Sequence, residues 1–257
     1  MNRKIYVLIA ISILINFCSG INIDTGKYYS SKNVELRYRN GKIYIMNIYE
    51  DSNILDEDLK YLKNDEIKKD LEMLGIDKKT VTDDGIQNII FLKKLRILGI
   101  GNCQLTDRGM EYIGQLENLE ELDISNTKVT DEGLKYLKGL KKLKKLIVND
   151  SQITGDGFKY LRELPALTDI VIANARLKGE NLKYLEGMRL IFLNIAENKG
   201  VDDSAIPYLL KLKTLEELLI FDTNISKEGI KQLTKGLPRC SIWEERGGRE
   251  RWLLSTC

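Results

Sequence analysis

The sequence predicts an α/β solenoid of horseshoe shape, with short parallel strands on the concave side, helices on the convex side and a β-hairpin cap at each end. Three observations predict it. An L-x-x-L-x-L segment recurs at near-constant spacing. Each copy is followed by a loop and a helix-start signal. At both ends, apolar alternation brackets a tight-turn dipeptide, Asn40-Gly41 at the front and Gly247-Gly248 at the back.

The repeat comes first, because a fixed period decides the architecture before any single element is assigned. Leu95-Arg-Ile-Leu98-Gly-Ile100, Leu119-Glu-Glu-Leu122-Asp-Ile124 and Leu143-Lys-Lys-Leu146-Ile-Val148 follow one another every 24 residues. With the copies beginning at Leu71, Leu167, Leu190, Leu215 and a half-copy at Leu237, the spacings are 24, 24, 24, 24, 23, 25 and 22 residues. Within a copy, apolar and variable residues alternate, so Leu122 and Ile124 face inward and Asp123 outward. Next comes a loop residue able to bond the backbone, Cys103, Thr127, Ser151, Asn198 or Thr223, with Ala175 the exception. An N-cap follows at Thr82, Thr106, Thr130, Thr154, Asp202 or Ser226. Acids such as Asp83-Asp84 and Asp131-Glu132 suit the positive end of a helix. Leu134, Leu137 and Leu140 supply its buried stripe. Tyr61, Tyr112, Tyr136, Tyr160, Tyr184 and Tyr208 recur at one helix position, which reads as packing between neighbouring helices.

These units resemble leucine-rich repeats over residues 44–245, and most of all the bacterial 24-residue type with a V-T-D-E-G-L step, here Val129 to Leu134. The resemblance implies a horseshoe solenoid that works by binding a protein. It also implies a place at the bacterial cell surface, in adhesion or recognition of a host molecule.

Ends of a solenoid need covers. At the front, Val34, Leu36, Tyr38, Ile43 and Ile45 are expected to share one face of the hairpin, and residues 49–62 form a degenerate first repeat. At the back, a Gly247-Gly248 turn sets Trp243 opposite Trp252 and Glu244 opposite Arg251. The organisation is therefore residues 1–20 signal peptide, 21–62 cap hairpin and degenerate repeat, 63–242 repeats, and 243–257 cap or tail.

Asn2-Arg3-Lys4, the apolar run Ile5 to Ile15 and the small residues after it form a secretory signal, too short to span a bilayer. Ile15-Asn16-Phe17-Cys18 resembles a bacterial lipobox, which makes Cys18 the lipidated first residue of the mature chain, although Phe17 stands where the motif has a small residue. The other reading is plain cleavage after Gly20. The product is an outer-membrane or cell-surface lipoprotein in the first case and a secreted or periplasmic protein in the second. The membrane is met only through that lipid.

Composition excludes most catalytic routes. The chain of 257 residues contains no histidine, which closes Ser-His-Asp, Cys-His and imidazole acid–base chemistry. Cys18, Cys103, Cys240 and Cys257 form no CxxC pair, so no zinc site is read, and no cofactor or metal is expected. Cys240 falls where other copies place the second Leu and is expected to be buried. With 40 basic and 38 acidic residues, the chain lacks the charge of a nucleic-acid binder. Lys138, Lys141, Lys142, Lys144 and Lys145 read as a solvated face.

What remains is the concave surface. Its third-position column runs Met73, Ile97, Glu121, Lys145, Asp169, Phe192, Glu217, Arg239. The fifth runs Gly75, Gly99, Asp123, Ile147, Val171, Asn194, Leu219, Ser241, and the seventh runs Asp77, Gly101, Ser125, Asn149, Ala173, Ala196, Phe221, Trp243. Phe192, Leu219, Phe221 and Trp243 are expected to gather near the C-terminal end as aromatic and aliphatic anchors of a protein interface. Ile147 and Val171 continue the apolar surface, and Glu121, Asp123, Asp169 and Glu217 outnumber Lys145 and Arg239, which favours a mildly basic partner. The function predicted is a non-enzymatic protein-binding module. A periplasmic scaffold working through its convex face is the alternative.

Overall fold

The computed structural model describes residues 31–245. The signal segment with Cys18, the Gly247-Gly248 turn and Trp252 lie outside them. Ten strands form one sheet in chain order. They are β1 (Val34–Arg39), β2 (Lys42–Ile48), β3 (Met73–Ile76), β4 (Ile97–Gly99), β5 (Glu121–Asp123), β6 (Lys145–Ile147), β7 (Asp169–Val171), β8 (Phe192–Asn194), β9 (Glu217–Leu219) and β10 (Ser241–Trp243). The β1–β2 pair is antiparallel, and every pairing from β2 to β10 is parallel. The second leucine of each repeat stacks in register, Leu74 on Leu98, Leu122, Leu146, Ile170, Leu193 and Leu218, all with no exposed surface. This column is the spine of the core.

The convex side is helical but short. Among the described residues, only Asp107–Ile113 and Lys227–Gly236 make α-helices longer than four residues, while Gly133–Gly139 and Gly179–Leu185 are 3-10 turns. Leu134, Leu137 and Leu140 recur every third residue and are buried, as are Met110, Ile113 and Leu116 in the coil before, so either kind of turn brings the same stripe to the core. The six tyrosines are half-buried against the core, and Lys135, Lys159 and Lys183 each lie about 5 Å from the ring that follows them.

Successive coils are locked by a device that the helix-dipole reading did not contain. Asp107 in one coil accepts from the Thr130 amide at 2.8 Å and the Thr130 hydroxyl at 2.7 Å in the next. Gly133, three residues beyond, leaves the space this carboxylate occupies, since a Cβ there would sit 2.5 Å from Asp107 Oδ1. The same Asp–Thr bonds join Asp56 to Thr82, Asp83 to Thr106 and Asp131 to Thr154, and Asp203 binds Ser226 likewise. The repeated T-D-x-G is thus an inter-coil clamp as well as a helix start.

The loop residues bond the backbone as expected: Thr127 Oγ1 donates to Ile124 O at 2.8 Å and Thr223 Oγ1 to Ile220 O at 2.7 Å. Ala175 cannot donate, and the fully buried Asn198 of the next coil does so in its place. Its Nδ2 donates to Ile172 O at 2.6 Å, and also to Ile195 O and Ala196 O, both at 3.0 Å. Its Oδ1 accepts from the Ala175 and Leu177 amides at 3.0 and 3.3 Å.

Three expectations need correction. The Asn40-Gly41 turn forms with both φ angles positive, but a bulge pairs Arg37 with Ile45 and Tyr38 with Ile43. The extra residue, Tyr44, flips the alternation, so Met46 and Ile48 take the buried positions while Ile45 is half-buried and Tyr38 exposed. The hairpin also does not simply cap the first repeat, because β2 pairs in register with β3 and opens the concave sheet. At the other end, Ile242 and not Cys240 stands opposite Leu218, and Trp243 stands opposite Leu219. The 24-residue period therefore continues, and Leu237 is a buried residue outside the strand frame, not its start. Cys240 is half-buried in consequence, and burial, followed by the nearby Glu217 charge, pushes its thiol up to about 11.

Candidate functional site on the concave face

Parallel register turns the variable residues into columns, as the alternation requires. Glu121 lies beside Lys145, Lys145 beside Asp169, Asp169 beside Phe192 and Phe192 beside Glu217. Asp123, Ile147, Val171, Asn194 and Leu219 form the next column, which Trp243 and not Ser241 completes. Arg239 lies before β10 and outside the columns.

Exposure divides the predicted anchors. Val171, Leu219, Phe221 and Trp243 are half-buried, whereas Phe192 and Ile147 keep only 3% and 7% of their surface. Leu219 and Trp243 are direct neighbours on β9 and β10, and Phe221 follows two residues after Leu219. The apolar end of the face therefore rests on Leu219, Phe221 and Trp243, with Phe192 packed below the surface. Glu121 and Lys145 pair at 3.2 Å, both largely shielded. Asp123 accepts from the Ser125 amide and hydroxyl at 2.8 and 2.6 Å, and burial lifts its carboxyl above the usual range despite those bonds.

The N-terminal half holds a feature that residue size alone did not reveal. Small side chains there suggest a flat surface, but the face sinks into a hollow of about 320 Å³. Gly75, Gly99 and Gly101 form its floor, Met73 and Ile97 one flank, and Asp77, Asn102, Asn126 and Asp150 the opposite rim. A side chain at Gly99 would meet nothing within 4 Å, so the hollow is open directly above that residue. At Gly75, by contrast, a Cβ would lie 2.6 Å from Asn47 Oδ1. The rim is a run of left-handed residues, Asn102, Asn126 and Asp150, whose φ angles lie between 51° and 59°. Asn102 donates to Asp77 at 2.8 Å and Asn126 to Asn102 at 2.5 Å, one coil to the next. Beside the hollow, Glu35 accepts from Asn47, Arg37 and Tyr49, and these bonds hold its carboxyl down at about 2.

Cys103 does not belong to this face. Its buried thiol points at Ile76 O, 3.5 Å away, and burial pushes it up to about 12, which disfavours the thiolate. The lysine cluster is engaged along the coil edges: Lys141 with Glu163 O, Lys142 with Asn118 and Lys144 with Glu120. Among the described residues no helix is long and apolar enough to cross a membrane.

A family model described as Leucine Rich repeat matches residues 92–114 and 115–138. Among solved structures, the chain is similar to internalin C2 from Listeria monocytogenes, at a TM-score of 0.53 and 21% identity over 78% of this chain and 80% of that one. At that identity the likeness speaks for the fold alone. No curated protein matches the sequence. With two units matched to the family, the L-x-x-L-x-L period read along the rest and a solenoid that stacks those segments in register, the chain has the leucine-rich repeat fold.

Proposed function

We propose that this protein recognises a partner protein on its concave face and carries out no chemistry of its own. The observation that supports the reading most strongly is the set of half-buried Leu219, Phe221 and Trp243 side by side at one end of a parallel sheet. Such residues supply most of the binding energy of protein interfaces, and a preordered sheet loses little entropy when it binds. The convex tyrosine row, half-buried to the same degree, is the surface that the scaffold alternative would use. Cross-linking capture with the purified protein tests the reading. Phe221→Ala with Trp243→Ala is expected to weaken capture of a partner at least about tenfold, each anchor being worth about 2 kcal/mol or more. Capture that survives both changes but falls with Tyr136→Ala and Tyr160→Ala moves the working surface to the convex side.

The protein is exported under this proposal, and Cys18 carries the lipid that tethers it at the bacterial surface. Mass spectrometry of the mature N-terminus is expected to find a diacylglyceryl-modified Cys18. An unmodified chain starting at Ile21 replaces anchoring with plain secretion, and an intact Met1 contradicts export altogether.

A further inference from the structure

The hollow over Gly99 differs from the aromatic end of the face in its hydrogen-bonding inventory. Each side-chain amide and hydroxyl on its lining already donates to a neighbour. Asn47 and Tyr49 give to Glu35, Asn102 to Asp77, Asn126 to Asn102, and Ser125 to Asp123. Acceptors are left over. Glu35 is held ionised and can only accept, so it claims the Asn47 Nδ2 and turns Oδ1 over Gly75, toward the hollow. Asn47 is 6% exposed, and among the described residues its oxygen accepts no hydrogen bond. Asp77, Asp123 and Asp150 add carboxylates around the same space, and Met73 with Ile97 provides an apolar flank.

A hollow with one greasy wall, unfilled acceptors and negative charge suits a long cationic side chain. We propose that it is a subsite for an arginine or lysine side chain of the partner, with its stem on Met73 and Ile97 and its head among Asn47 Oδ1, Asp77 and Asp123. About 320 Å³ accommodates one such side chain with part of its backbone. The head replaces lost water with charge-assisted bonds, and the stem buries apolar surface. The inference rests on the reading of the concave face as the working surface and assigns one position of its ligand.

Titration of the free protein with N-acetyl-L-argininamide, followed by amide NMR, tests it without any partner. Saturable shifts are expected at Gly75, Gly99 and Gly101, with N-acetyl-L-norleucinamide binding at least about tenfold more weakly because it lacks the charged head. Gly99→Leu, which fills open space, is expected to abolish the shifts without changing the melting temperature, and Gly101→Leu serves as a second filling. No saturable shift, equal binding of the neutral analogue, or binding that persists in both filled variants overturns the subsite. If argininamide binds here while partner capture ignores Phe221 and Trp243, the subsite stands and the aromatic interface fails. If capture depends on those residues but is indifferent to Gly99→Leu, the reverse holds.

Discussion

Asn198→Ala is expected to cost about 4 kcal/mol or more, a large share of the usual stability of a domain this size. The amide has no exposed surface and makes five hydrogen bonds to two coils, so its removal leaves the carbonyls of Ile172 and Ile195 and the amides of Ala175 and Leu177 without these partners, while Ala196 O still accepts from the Asn174 amide. Each such group forfeits about 1–3 kcal/mol, and water has no ready route to replace the loss. Thr223→Ala, at the equivalent position in the following coil, removes a single hydroxyl bond and is expected to cost about 1 kcal/mol. Urea denaturation of the two variants measures the difference. Equal, small losses contradict the view that Asn198 serves its own coil and the one before it.

Gly133→Ala is the second large effect, and its sign separates this fold from an ordinary helix. In an isolated helix the change stabilises by about 1 kcal/mol. Here the added methyl meets Asp107 Oδ1 at 2.5 Å and Val129 Cγ1 at 2.7 Å, so the clamp must open or the coils must part. A loss of about 2–3 kcal/mol is expected, the range of an overpacked core site. Because the carboxylate is one of three obstacles, with Val129 and Met110, Gly133→Ala on an Asp107→Ala background is expected to cost less than on the parent, a non-additivity that a double-mutant cycle reads directly. A stabilising Gly133→Ala rejects the clamp.

How much of this was legible depended on whether a feature repeats. The strands, their parallel order and the N-caps at Thr82, Thr106, Asp202 and Ser226 follow from the period, because each unit buries its leucines only by stacking on the next. The Asp–Thr–Gly clamp recurs too, yet its partners lie 23 to 26 residues apart, and reading each coil by itself assigned the acid to the helix dipole. Asking why Gly133 follows Thr130 by three would have exposed it. Departures from the repeat were harder. The Leu237 spacing pulled the last coil two residues out of frame, whereas strand register continued from Leu218 to Ile242. The hairpin bulge at Tyr44 and the depth of the hollow both depend on neighbours across strands, which no single repeat encodes. Phe192 was read as exposed for the same reason: position in a column fixes the direction of a side chain but not what its neighbours cover.

The central claim is that alternate residues of each short strand face opposite sides, so that variable positions of successive coils share one surface. Methyl NOE spectroscopy tests it most directly at β5 to β7. Ile147 methyls are expected to contact Val171, while those of Leu146 contact Leu122 and Ile170. NOEs from Ile147 to the convex-side Leu137 or Leu161, with Leu146 turned toward solvent, would place the columns on the wrong side of the sheet and contradict the account.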